Sequence, residues 1–196
     1  MTESHDSIDA SPLGLERGLV SLAEHEPAWR DAATAELVRL EARFVKAGVD
    51  GRVLGYEHVG STAVPGLAAK PILDLLVVIA DPGGSALLGP ELESMGYTHR
   101  PNDEVTDRAF FAKGPTSNRT HYLSVTQWGS DCHREQVTLR DYLRDNPAAL
   151  ERYERRKRQL VAEHADDRAA YTARKTAVIE ELLEQADAAG YGIGVR

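Results

Sequence analysis

Residues 57–79 read EHVGSTAVPGLAAKPILDLLVVI, a stretch in which Gly60, Ser61 and Thr62 end one hydrophobic segment and Asp74 enters the next. A glycine lets a ligand approach the main chain closely, and the two hydroxyl residues add donors beside exposed amides. Together they suit the oxygens of a phosphate. Lys70 precedes Pro71, so its backbone is extended and its amine can reach the same anion. Asp74 lies in an apolar run, an expensive place for an unpaired carboxylate. It must face a polar cleft, hold a cation or accept several hydrogen bonds. Two readings stay open. In one, Asp74 holds Mg²⁺ against a triphosphate during nucleotidyl transfer; in the other, it accepts N–H groups from the Gly60–Thr62 loop. No Gly-Lys-Ser/Thr P-loop and no G-x-G-x-x-G fingerprint is present.

Further candidates lie nearby and downstream. His58, beside the loop, would contact phosphate or bond the backbone as a structural ring. His121, in an alternating segment, is expected to face the cleft near Asp74 as general base or ligand contact. Arg119 offers a planar fork for oxyanions, or a surface ion pair. Arg140 is expected to reach the cleft, with Asp141 orienting a neighbour. Tyr153/Lys157 and Tyr171/Lys175 share one spacing, which puts each pair on one helical face. The tyrosines are read as core residues, and the lysines either line the cleft or reach water. Cys132 beside His133 is too small a cluster for zinc.

The elements that must position these groups follow from periodicity. Trp29, Ala33, Leu37, Leu40 and Phe44 recur at helical intervals between Glu26 and Ala47, with Pro27 in the first turn and Gly48 as the stop. Arg52–Val59 and Pro71–Ile79 read as strands. Ser85 is read as the cap of a short helix to Met95, ended by Gly96. Segments 97–100, 108–113 and 121–126 read as three more strands. After Gly129 the pattern is helical, with breaks at Asn146-Pro147 and Asp166-Asp167. The order predicts an α+β fold with a mixed sheet covered by helices. Residues 1–16 are expected to be a loose polar tail, 17–130 the core, and 131–196 a helical region packed on it.

Bulk properties narrow the function. The 196 residues suffice for one domain with a core, and the net charge of -8 argues against a long nucleic acid as partner. Between Arg134 and Arg158, eight basic residues face five acids, a local excess suited to a small anion or to a solvated helix face. A single cysteine excludes an internal disulfide. No signal segment and no membrane-length apolar run is read, so a cytoplasmic protein with no membrane partner is expected.

The stretch 57–79, with RAFFAKG (108–114), NRTHYLSV (118–125), LRDYLRDNP (139–147) and the two Tyr-x3-Lys pairs, resembles the GrpB family over residues 19 to 185. The resemblance implies a polymerase-β-like nucleotidyltransferase core with a helical tail. There Gly60-Ser61 would hold nucleotide phosphates and Asp74 would bind metal. The second acid of the usual pair falls at Leu76, leaving Glu57 as the acid to complete the metal site; Ser124 stands where a histidine often occurs. The implied function is binding of Mg-NTP and nucleotidyl transfer to a small acceptor. It would be carried by Asp74, Glu57 and His121, with His58, Gly60, Ser61, Thr62, Lys70, Arg119, Arg140 and Lys157 on the nucleotide. The alternatives are a catalytically reduced domain that binds a phosphorylated metabolite or a partner enzyme, and a module that self-associates through its helical tail.

Overall fold

The structure is a computed structural model, and it describes residues 13–18, 21–101, 106–164 and 167–192. Helix α1 (Ala28–Ala47) buries Trp29, Ala33, Glu36, Leu40 and Phe44 as one stripe. Leu37, expected in that stripe, is only partly buried, and a glutamate takes the inner position. Gly48 stops the helix at φ 70°, its N–H turned back to the carbonyls of Phe44 and Val45.

Strands β1 (Val53–Val59), β2 (Leu73–Ile79), β3 (Tyr97–His99), β4 (Arg108–Lys113) and β5 (His121–Gln127) make a sheet in the order β1-β2-β5-β4-β3. The β2–β5 pair is parallel and the others antiparallel, so the sheet is mixed, as the element order predicts. Helix α2 (Gly84–Ser94) connects β2 to β3. Ser85 does not cap it; the hydroxyl donates to the carbonyl of Pro82, and Gly83 holds the cap position.

Three helices follow: α3 (Asp131–Asp145), α4 (Pro147–Glu163) and α5 (Arg168–Ala188). Ser130 caps α3 by accepting from the His133 N–H, and Asp167 caps α5 by accepting from Ala170 N–H. Pro147 opens α4 as expected, but Asn146 gives it no side-chain cap; its amide donates instead to the Tyr142 carbonyl. Of the expected N-terminal tail, residues 1–12 lie outside the described residues. Gly14, Leu15 and Arg17 bond the backbones of Pro71, Arg119 and Thr116.

Alternation along the strands divides the core. Leu73, Leu75, Val77, Ile79, Leu123 and Val125 pack under α1 and α2. Val59, Leu76 and Val78 pack on the other face, against Cys132 and Val137 of α3. A third cluster joins Val64 and Leu67 to Tyr142, Leu143, Tyr153 and Leu182, fastening the helical region to the loop before β2. Each fully buried leucine contributes about 1.5–3 kcal/mol. Among the described residues, no helix is long and apolar enough to cross a membrane.

Candidate functional site

A cavity of about 750 Å³ opens between the α3-facing side of the sheet and the three C-terminal helices. Gly60, Ser61, Asp74 and Arg108 line it from the sheet, Arg140 from α3, Tyr153 from α4 and Lys175 from α5. The sheet register explains this company. Asp74 pairs with Val59 across β1 and with Tyr122 across β5, and Arg108 pairs with Thr126. Asp74, Ser124, Thr126 and Arg108 therefore share the face that carries the cavity.

The Gly60 backbone lies directly against the Asp74 carboxylate. A Cβ built on Gly60 would stand 2.5 Å from Asp74 Oδ2, and φ is +70° there. Both the conformation and the close approach require glycine. Ser61 then begins a 3₁₀ turn, Ser61–Ala63. Its hydroxyl lies 2.9 Å from Lys157 Nζ, and the same nitrogen donates to the Ala68 carbonyl at 2.6 Å. Arg144 clamps the end of this turn, giving two hydrogen bonds, at 2.9 and 2.7 Å, to the Ala63 carbonyl.

Asp74 is the unusual group. Burial raises its pKa, while Lys175, Arg108, Lys157 and Lys70 pull it down through space. No ion pair or hydrogen bond to its carboxylate is formed among the described residues. The Lys175 pKa is raised, the charge interaction with Tyr153 outweighing the cost of burial and those with Tyr171 and Asp74 adding, so its amine stays a cation. Asp107, Asp131 and Glu135 line the same cavity. Asp107 accepts from the Cys132 N–H at 2.7 Å and Asp131 pairs with Arg134.

Of the residues singled out from sequence, Gly60, Ser61, Asp74, Cys132, Arg140, Tyr153 and Lys175 border the cavity, and Lys157 reaches it through Ser61. His121, Arg119, Glu57, His58, Thr62 and Lys70 are not in its lining. His121 is a correction: it pairs with Leu73, one residue out of phase with Asp74, and so faces α1. Its Nδ1 shares a hydrogen bond with Thr120, its ring meets Tyr97 edge-on, and burial lowers its pKa to about 4. It cannot serve as a base in this cleft. Arg119 is also a correction: it donates to the Gly114 carbonyl and does not line the cavity, so it is not placed to hold a phosphate there.

Glu57 is engaged by Arg140 at 2.6 Å and does not border the cavity. His58 and Thr62 bond each other at 3.0 Å; burial, with Arg144 and Arg140 adding, lowers the His58 pKa to about 4. Lys70 lies over the Tyr171 ring at 4.8 Å. Arg108 was not among the residues expected at the site, and Arg144 counted only as one of the eight basic residues between Arg134 and Arg158. The signal for Arg108 was its position opening a strand of the β4–β5 hairpin, in phase with Ser124 and Thr126.

Of the two acids expected to hold a metal, Asp74 borders the cavity and Glu57 does not. Among the described residues no three His, Cys, Asp or Glu side chains converge to hold a metal ion. Leu76, which follows Asp74 on the same face, is buried in apolar contacts. Around Asp74 itself the charges nearest in effect are cations, Lys175 and Arg108 first, while Asp107, Asp131 and Glu135 line other parts of the same cavity.

Comparison with known proteins agrees on the family. The GrpB protein family model matches residues 19–185. A UPF0157 protein of Halalkalibacterium halodurans is 33% identical over 188 residues, covering 95% of this chain and 92% of that protein. The glutamate-rich protein GrpB of Alkalihalophilus pseudofirmus is 29% identical, covering 88% and 99%. The crystal structure of the conserved protein GrpB from Enterococcus faecalis superposes with a TM-score of 0.75 at 33% identity, covering 85% of this chain and 96% of that one.

Proposed function

The chain belongs to the GrpB family, and from that premise we propose that its cavity binds a phosphorylated small molecule without a divalent metal. The observation that carries this reading is the environment of Asp74: a carboxylate with no ion pair or hydrogen bond among the described residues, lying in the field of Lys175 and Arg108, which line the same cavity. Lys175, Arg108 and Arg140 put three cations into the lining of a partly enclosed site, where attraction for oxyanions strengthens with desolvation, while Asp107 and Asp131 are engaged by the Cys132 N–H and Arg134. The volume of about 750 Å³ is within the range for a nucleotide-sized ligand. The net charge of -8 on the whole chain favours a small anion over a long polyanion. Nucleotidyl transfer through paired metals gains no support from Leu76 or from Glu57, which is bound to Arg140.

Calorimetry with ATP, GTP and pyrophosphate, each with and without Mg²⁺, tests the proposal. Binding is expected without metal and should weaken as salt rises. Asp74→Asn removes a like charge facing the ligand and should tighten binding several-fold, about 1 kcal/mol. A strict Mg²⁺ requirement, abolished by Asp74→Asn, would restore the metal-dependent reading. Absence of heat with every anion would end both.

A further inference from the structure

We propose that Ser61 and Lys157 form a serine–lysine pair competent for acyl transfer, with Ser61 Oγ as nucleophile and Lys157 Nζ as its base. Ser61 lines the cavity, while Lys157 lies behind it at 2% exposure. The two atoms are 2.9 Å apart, inside the reach a base needs. The Ala68 carbonyl, 2.6 Å from Nζ on its other side, fixes the amine in place. As an ammonium, Nζ donates to both oxygens. As an amine, it keeps the N–H to Ala68 and accepts the Ser61 proton on its lone pair.

The surroundings favour the amine. No carboxylate among the described residues forms an ion pair with Lys157, and the Tyr153 ring lies 5.2 Å from Nζ. Burial drives its pKa well below that of an ordinary lysine. Lys175 from α5 and Lys70 from the loop before β2 push the same way, opposed by Glu154 on α4 and Asp74 on β2. A lysine that only tied the loop to α4 would gain nothing from this desolvation. A base does.

The substrate class is a small carboxylic ester that carries an anionic group, which the cations of the cavity would hold. Ser61 Oγ attacks the carbonyl carbon as its proton passes to Nζ. The ester C–O bond breaks, and the departing alkoxide takes that proton and leaves as an alcohol. Water then attacks the acyl-serine, giving a proton to Nζ. The Ser61 oxygen recovers it as the carboxylic acid departs. Lys175, held as a cation in the same cavity, is placed to oppose negative charge on the tetrahedral intermediate. The inference uses the same cavity as the binding proposal but does not depend on phosphate.

The test is labelling of the full chain with a fluorophosphonate and with p-nitrophenyl acetate, followed by peptide mass mapping. A single adduct on Ser61 is expected, its rate rising with pH and levelling off below the range where an ordinary lysine titrates. Ser61→Ala removes it. Lys157→Met slows it by roughly 100-fold, and so does Lys157→Arg, which cannot release a proton; circular dichroism confirms folding of each variant. No adduct on Ser61, or one formed equally fast in folded Lys157→Met, overturns the pair. Should both lysine variants unfold, the wild-type pH profile decides, and a rate that climbs without a plateau overturns it. Anion binding measured on the same samples separates the two proposals: intact binding with an inert Ser61 sinks only this one.

Discussion

Two carboxylates on opposite faces of one sheet have opposite fates. Glu36, on the α1 side, is fully buried and fully engaged. Lys113 and the Tyr97 hydroxyl reach one oxygen at 2.7 and 2.9 Å, and Arg39 Nε reaches the other at 3.0 Å. Burial alone would raise its pKa, but these contacts overcome it and hold the group at about 2. Asp74, on the α3 side, has a cavity in front of it and cations at a distance, and burial raises its pKa. The first is a carboxylate used to hold α1 to β3 and β4. The second is held in readiness. Satisfied contacts mark a structural charge, and unsatisfied ones mark a site that awaits a partner.

The contrast is broken most severely at Glu36. Glu36→Ala leaves Lys113 and Tyr97 in a buried place without their acceptor, and a loss of about 3–5 kcal/mol is expected by urea denaturation. A loss below about 1 kcal/mol would mean that the cluster is solvated and the contrast with Asp74 is false.

Acid titration sharpens it next. The folded pKa of Glu36 lies below its ordinary 4.5, so its stabilisation is complete above 4.5 and is lost as pH falls toward 2. The shift corresponds to about 3 kcal/mol. His58 and His121 act in an earlier window. Both have folded values of about 4 against 6.5, so the unfolded chain takes up protons first and stability declines from pH 6.5 to 4. Stability measured from pH 7 to 3 should fall in these two overlapping stages, and His121→Gln should flatten the first.

Gly60 comes third. Gly60→Ala places a methyl 2.5 Å from Asp74 Oδ2 at a φ of +70°, and about 2 kcal/mol should be lost. Adding Asp74→Ala removes the collision but not the backbone strain, so part of the loss should return. Full recovery, or none, would show that only one of the two causes operates.

Much of this was legible in the sequence, and the failures have physical reasons. The glycine-serine turn and the two strands around it were readable because alternation and turn chemistry are local. The helical breaks at Pro147 and Asp167 were readable for the same reason. Glu36 was missed because an apolar-periodicity rule picks its neighbour Leu37; only the positions of Lys113 and Tyr97, far along the chain, make a buried glutamate tolerable. His121 was assigned to the wrong face because side-chain direction depends on the parallel β2–β5 register, and a shift of one residue reverses it. Glu57 and Arg119 looked available because their partners, Arg140 and the Gly114 carbonyl, could not be paired with them before the chain was folded.

The smallest effect is the one that most directly separates the two carboxylates. Because the folded pKa of Asp74 is raised, its protonated form fits the fold better, and stability is lost as pH rises through that value. Asp74→Asn keeps the shape and removes the charge. At neutral pH it should leave stability unchanged or raise it by up to about 1 kcal/mol, whereas the like change at Glu36 is destabilising. The gain should vanish at low pH, where the wild-type carboxyl is neutral too. If Asp74→Asn instead destabilises the protein at pH 7, the lysines and Arg108 are holding the fold together through that carboxylate, and Asp74 belongs with Glu36 as a structural charge.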